Sequence, residues 1–459
     1  MNSGSTNKSG ASVDASENKN SANNETNNTL ETEASNTACR NSNTWIKATE
    51  RNLHKRPHPL WQQPTFLNDS TAYEKSRSAS WMELFFDLVY VVAVAEAAKI
   101  LESRHGSFCA VLPFASLMFL IWITWLSITL YTDRFDNDDV VARLFMLAHM
   151  VSIAIVATHI DHGGCREGFA IGCGLLHVVM GLQYGRLLHP QQKQMPKRRI
   201  RMLVAYAASY MMAAALFGVS AFPVFHAPVK VVFWACAVVV DVAVSLYDLC
   251  FQVFPLSRDH WPERMGLFTI VVLGEMVVGT VHGVSSLPYF PIWPVTAGIC
   301  LTFAVWWVYF EGMDHSIIES KCHLIGWIAL HFPIVVGVTV LGPTIYLTQR
   351  HHFKVLAVRA LLCGSMGLVF AGIAFIQIFL TRTDGHYYSD RLRGIVKLAS
   401  AGVVSCLWLI DTPKHFTVPP SLFLLLVLLI CIVNFSLELL SKAKFQWSQM
   451  QDSAITEQV

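Results

Sequence analysis

Three carboxylates stand in one apolar run, Trp81–Leu101, which opens W-M-E-L-F-F-D-L-V-Y-V-V-A-V-A-E. Glu83 and Asp87 are four residues apart, so on a helix they share a face, one turn above the other. Glu96 lies nine residues further on, about 900° of rotation, and looks out from the opposite face. Like charges one turn apart favour a proton or a bound cation between them. Further acids interrupt other apolar runs: Asp241 in V-V-V-D-V-A-V, and Glu275 roughly 16 Å of helix beyond Arg264. His149 and His331 each lie near the middle of such a run. The chemistry these residue types offer is uptake and release of a proton or cation by the acids, with the histidines relaying protons or orienting a solute. A third histidine, His177, reads as a packing residue, while Asp241 calls for a partner across helices, a histidine or Arg359.

Two groups of charged residues lie at the ends of these runs. Glu263 and Arg264 open the run that contains Glu275, and Arg134 and Asp136 belong to the turn D-R-F-D-N-D-D; together they are candidates for a cytoplasmic gate. Asp133, Asp136, Asp138 and Asp139 are also candidate ligands for a divalent cation. The turn lacks calcium-loop spacing and its glycine, so capping and interhelical pairing are expected first, with Arg134 reaching a first-span carboxylate. Alternatively, Glu83 simply favours the positive end of the helix that it opens.

Such residues must be held by long apolar elements. Of 459 residues, 53% are hydrophobic and 14% charged, against roughly 25% charged in soluble domains. The excess is arranged in blocks of about 20 residues, the length that crosses about 30 Å of hydrocarbon. The expected fold is an all-α polytopic membrane protein. About twelve transmembrane helices are predicted, at 82–101, 110–131, 140–160, 168–188, 201–225, 229–253, 264–286, 292–311, 324–347, 356–380, 395–411 and 419–440. Polar or proline-bearing connectors separate them, including Thr381–Arg393. Residues 1–80 form an Asn/Ser/Thr-rich tail too poor in apolar side chains to order itself, and 441–459 a second tail. Eleven cysteines without a C-x-x-C pair read as small buried side chains. Lys and Arg gather before the first span, between the fourth and fifth (Lys193, Lys197, Arg198, Arg199, Arg201) and between the tenth and eleventh (Arg382, Arg391, Arg393), which predicts cytoplasmic termini.

The chain also resembles itself. Trp81-x-Glu83 recurs as Trp261-x-Glu263, and Glu96 as Glu275, at offsets of 180 and 179 residues. Tyr131, Asp133 and Asp136 correspond to Tyr309, Glu311 and Asp314, and His149 to His331, at offsets of 178 and 182. The expected organisation is two parallel six-helix repeats, 81–253 and 254–440, with a site near the midplane where they meet. Gly274, just before Glu275, is the expected point of close helix approach.

Three segments, E-L-F-F-D-L-V-Y-V (Glu83–Val91), D-R-F-D-N-D-D (Asp133–Asp139) and H-W-P-E-R-M-G-L-F-T-I-V-V-L-G-E (His260–Glu275), resemble the LtrA (low temperature requirement A) family of integral membrane proteins. The resemblance covers residues from about 80 to 440 and implies a multi-pass membrane protein. Glu96 departs from the neutral polar residue expected of the family at that position.

The functional expectation is a proton- or cation-coupled secondary transporter of a small solute, carried by Glu83, Asp87, Glu96, His149, Asp241, Glu275 and His331. The rivals are an ion channel, an intramembrane lipid-modifying enzyme and a membrane scaffold or sensor. No H-E-x-x-H helix, G-x-S-x-G elbow or phosphate-cradling loop is present, so an enzyme is not expected. No cofactor is expected either. The partners would be membrane lipids and a small solute or ion, not nucleic acid.

Overall fold

The computed structural model describes residues 59–62, 65–66, 79–136, 139–160, 167–188, 195–251, 253–254, 256, 260–285, 292–313, 321–350, 356–380, 387–409, 423–437 and 439–440. The expected 441–459 tail, most of the 1–80 tail and Asp138 lie outside these residues. The elements below all belong to the unit Trp61–Val459.

The helices are α1 (Trp81–Ser103), α2 (Phe108–Arg134), α3 (Val140–Thr158), α4 (Glu167–Arg186), α5 (Lys197–Ser220) and α6 (Ala227–Phe251). They continue with α7 (His260–Val284), α8 (Ile292–Met313), α9 (Lys321–Gln349), α10 (Leu356–Phe375), α11 (Tyr387–Cys406) and α12 (Phe423–Leu437). Among the described residues, ten helices, α2 to α11, are long and apolar enough to cross a membrane. α1 matches them in length but is interrupted by Glu83, Asp87, Glu96, Lys99 and Glu102, and α12 is shorter.

Local chemistry sets several helix starts. Ser80 and Glu83 form a reciprocal capping box: Glu83 N donates to Ser80 Oγ at 3.2 Å, and Ser80 N to Glu83 Oε2 at 2.7 Å. Asp139 caps α3 through the Ala142 N–H, at 2.7 Å. The α1–α2 reversal runs through His105 and Gly106, both at positive φ (49° and 68°). A two-residue antiparallel pair, β1 (Thr65–Phe66) with β2 (Phe135–Asp136), ties the segment before α1 to the α2–α3 connector; the sequence offered no signal for it.

Two helix bounds depart from expectation. α11 begins at Tyr387, so residues 387–393 are helical rather than connector, and it ends in a 3₁₀ turn at Leu407–Leu409. Its first turns are polar, and helix geometry carries them beyond the apolar block that marked the span. α10 closes in a π-helical segment, Ile376–Leu380, the wider coil that often accompanies functional helix distortions.

α1 is the hub, packing against α2, α3, α7 and α9, while α7 packs against α8 and α9 as well. Its inward face carries Glu83, Phe86, Asp87, Tyr90, Ala93, Val94 and Ala97, and its outward face exposes Phe85, Leu88 and Val92. An outer face of large apolar side chains suits a lipid environment. The acids of α1 that share a face are therefore turned into the protein, not toward hydrocarbon.

The neighbour relations within α1–α5 recur within α7–α11: the first helix touches the second and third, the third touches the fourth, and the fourth the fifth. Sequence-matched residues do not always share environments. Trp81 is 88% exposed and Trp261 fully buried, whereas His149 and His331 are both fully buried.

Candidate functional site

At the end where α1 and α7 begin, the embedded charges are joined in pairs across helices. Arg264 forks onto Asp87, Nη1 to Oδ2 at 2.8 Å and Nη2 to Oδ1 at 2.9 Å, and Trp125 Nε1 donates to Asp87 Oδ1 at 2.8 Å. The guanidinium lies 5.5 Å from the Trp125 ring centre, and Trp125 packs on Phe268 and Trp122. A planar fork on a carboxylate, backed by an indole, is the geometry that arginine supports and lysine does not.

Asp133 of α2 accepts from His260 Nδ1 at 3.1 Å and Trp261 Nε1 at 3.2 Å, both on α7. His260 Nε2 stands 3.9 Å from Glu83 Oε1. Arg134 turns the other way. It meets Asp248 of α6 at 2.9 Å and donates to the Tyr206 hydroxyl at 3.0 Å; that hydroxyl donates to Asp248 at 2.9 Å. The expectation that Arg134 reaches a first-span carboxylate is corrected, because Arg264 already occupies Asp87. Arg134 and Asp248 are both almost completely buried.

Asp139 pairs with Arg186 at the end of α4, accepts from Gln62 N at 2.7 Å, and Arg186 donates to Gln62 O at 2.7 Å. Arg186 also lies 4.3 Å from the Trp61 ring centre. Burial pushes the Asp139 carboxyl up, but the Gln62 N–H, Arg186 and the Ala142 N–H together hold it below the usual carboxylate range. The acidic turn is thus split: Asp133 faces α7, and Asp139 faces α4. Asp136 lies in β2. No group of three His, Cys, Asp or Glu suited to a metal is present among the described residues.

The gate candidates Glu263 and Arg264 diverge. Arg264 is buried on Asp87, and Glu263 is exposed, its Oε2 accepting from Ala79 N at 3.1 Å. Glu96 forms a pair with Lys99 at 2.6 Å, its side chain 32% exposed. Exposed pairs of that kind contribute little.

Asp241 finds its cross-helix partner in His177 of α4, Nε2 to Oδ2 at 2.8 Å, while His177 Nδ1 donates to Cys173 O at 2.6 Å. Both ring nitrogens therefore face acceptors, and a proton must lie between Nε2 and Oδ2. The histidine partner expected for Asp241 is thus His177, which the sequence marks out only by its mid-span position. His149 bonds Gln183 at 2.7 Å, and His331 lies between Trp327 O (2.7 Å) and the Tyr309 hydroxyl (3.1 Å).

Glu275 differs from all of these. It is 5% exposed, and no cation or histidine lies within bonding distance of its carboxylate among the described residues; like Asp241 Oδ1, its Oε1 accepts no hydrogen bond there. It lies toward the end of α1 that carries Glu96, Lys99 and Glu102. The close approach beside it is not at Gly274, which has open space around its Cα, but one turn on. There Gly279 of α7 meets the backbone of Gly342 in α9, and Gly342 in turn abuts Glu275 O. Pro343 follows at once and removes a helix hydrogen bond at that crossing. Two surface cavities among the described residues, one between α5 and α6 and one between α7 and α8, are lined by neither Glu275 nor Asp87.

Residues 78–436 match the family described as bacterial low temperature requirement A protein (LtrA). Over 256 residues the chain is 25% identical to an uncharacterized protein of Rhizobium meliloti (strain 1021), a match covering 51% of this chain and 58% of that one.

Proposed function

The chain belongs to the LtrA family of membrane proteins, and we propose that it works as a proton- or cation-coupled secondary transporter of a small solute. Glu275 carries the reading. The buried acids Asp87, Asp133, Asp139, Asp241 and Asp248 each face a cation or a histidine, and Glu275 has neither within bonding distance among the described residues. A buried carboxylate without a counter-charge is tolerated when it can take up a proton or a cation. At the Gly279–Gly342 crossing the two backbones meet without intervening side chains, and Pro343 leaves α9 one internal hydrogen bond short beside Glu275, which supports a helix that shifts there.

In this reading α1–α6 and α7–α12 are two parallel repeats, supported by their recurring neighbour relations, and both termini are cytoplasmic, supported by the basic residues around α5 and α11. The Asp87–Arg264 and Asp133–His260 pairs then close the cytoplasmic end, and Glu275 lies on the opposite side of that closure. Release of the coupling ion at one face would require the pairs to part.

The test is proton movement in proteoliposomes carrying the full chain and a trapped pH dye, with an imposed gradient and a panel of small solutes outside. Glu275→Gln abolishes the solute-dependent pH change while the protein inserts and elutes as wild type. Glu96→Gln, at the partly exposed pair, leaves it intact. Unaltered coupled flux in Glu275→Gln sinks the assignment.

A further inference from the structure

We infer that the groove between α5 and α6 is a binding site for an anionic phospholipid. A cavity of about 490 Å³ opens there. Arg198, Arg201, Met202 and Ala205 line its α5 side, and Ala243 and Tyr247 are among the α6 residues opposite. The α5 residues fall at i, i+3, i+4 and i+7, one continuous helix stripe. The stripe changes character along its length. Both arginines stand in the first two turns, and Ala205 lies roughly 10 Å deeper by the helix rise.

α6 runs antiparallel, so its Tyr247 is near the arginine end and its Ala243 is one turn deeper, beside the apolar part. Charge and polar hydroxyl therefore meet at one end of the groove, and small apolar side chains form the other. That gradient matches a single kind of ligand, a phosphate headgroup attached to acyl chains. The walls are low at the deep end because Ala205 and Ala243 leave room where larger residues would fill the groove.

The surroundings agree. Arg198 and Arg201 are exposed, and Arg198 uses one N–H on Phe251 O at 3.0 Å, which fixes the side chain across the end of α6 and leaves further donors free. Val204 and Leu246, flanking the groove, are 49% and 43% exposed, so the opening faces the same surroundings as the outer apolar faces. Basic clefts between spanning helices at the headgroup level recognise anionic lipids through phosphate contacts. The proposal stands independently of transport, since no residue of the groove belongs to the polar pairs or to the surroundings of Glu275.

The full chain, purified in detergent and stripped of lipid, is offered phosphatidylglycerol or phosphatidylcholine of identical acyl chains, and bound lipid is counted by native mass spectrometry. Wild type takes up phosphatidylglycerol with at least tenfold preference. Arg198→Gln/Arg201→Gln removes the preference, and Arg198→Lys/Arg201→Lys keeps most of it. Ala205→Phe/Ala243→Phe lowers binding of both lipids with the arginines intact. Glycerol phosphate without acyl chains, at a hundredfold excess, does not displace the lipid. Equal phosphatidylglycerol binding by the Gln variant, or full displacement by glycerol phosphate, overturns the proposal.

Discussion

Arg264 and Asp87, 177 residues apart, meet through two hydrogen bonds in the interior and join the first helix of the chain to the seventh. Removing one member leaves the other buried and alone, whereas removing both leaves only apolar volume to fill. Asp87→Asn is therefore expected to lower stability by about 3–5 kcal/mol. The double change Asp87→Leu/Arg264→Met is expected to recover most of that loss. Thermal unfolding in detergent, read by elution profile, checks both; a double variant weaker than either single one contradicts the pairing.

Gly279 and Gly274 offer a contrast on one helix. A methyl group at Gly279 meets the backbone of Gly342, which cannot give way as a side chain can. Gly279→Ala should cost about 1–3 kcal/mol by forcing α7 and α9 apart. Gly274→Ala meets nothing within 4 Å and should gain up to about 1 kcal/mol from helix propensity. The two melting temperatures, measured side by side, must move in opposite directions.

His177 and Asp241 share a proton and should behave as a unit. In a double-mutant cycle of His177→Gln and Asp241→Asn, the coupling is expected to be about 0.5–3 kcal/mol. Strict additivity would mean that the 2.8 Å contact has no energetic content.

The Asp139 clasp makes a pH prediction. Its carboxyl is held below its ordinary value in the folded chain, so the folded state binds a proton less readily than the unfolded one. The resulting stabilisation is fully present above the unfolded value and fades as pH falls through the folded one. Asp139→Asn should thus be less stable than wild type from pH 5 to 8, and the gap should narrow on acidification below about pH 4. A gap that widens in acid contradicts the sign.

Much of the helical frame was legible because spans are long and apolar, a signal that survives without neighbours. Asp87 and Asp241 stood out for the same reason: charge is conspicuous in an oily run. Which cation each acid would meet was hidden. α1 and α7 are apolar around most of their circumference, so periodicity marks a face but not what lies opposite. Arg134 illustrates the failure: expected to reach a first-span carboxylate, it meets Asp248 of α6, while Arg264 takes Asp87. Asp248 and His260 went unnoticed because they sit near span ends, where polar residues are ordinary. Adjacency to Glu275 points to Gly274 in the sequence, and the close contact one helical turn on, at Gly279, is invisible without the partner helix. The start of α11 is hidden in the sequence because its first turns are polar, and polarity reads as loop.

The reach of the Asp87–Arg264 pair bears on how the chain is made. The carboxylate comes with α1, and its guanidinium arrives only after α2 to α6 have emerged. During that interval α1 must keep its acid protonated, or linger near the aqueous edge or a translocase, before settling into place. Biogenesis of this protein therefore ends, for its first helix, with an event near the seventh.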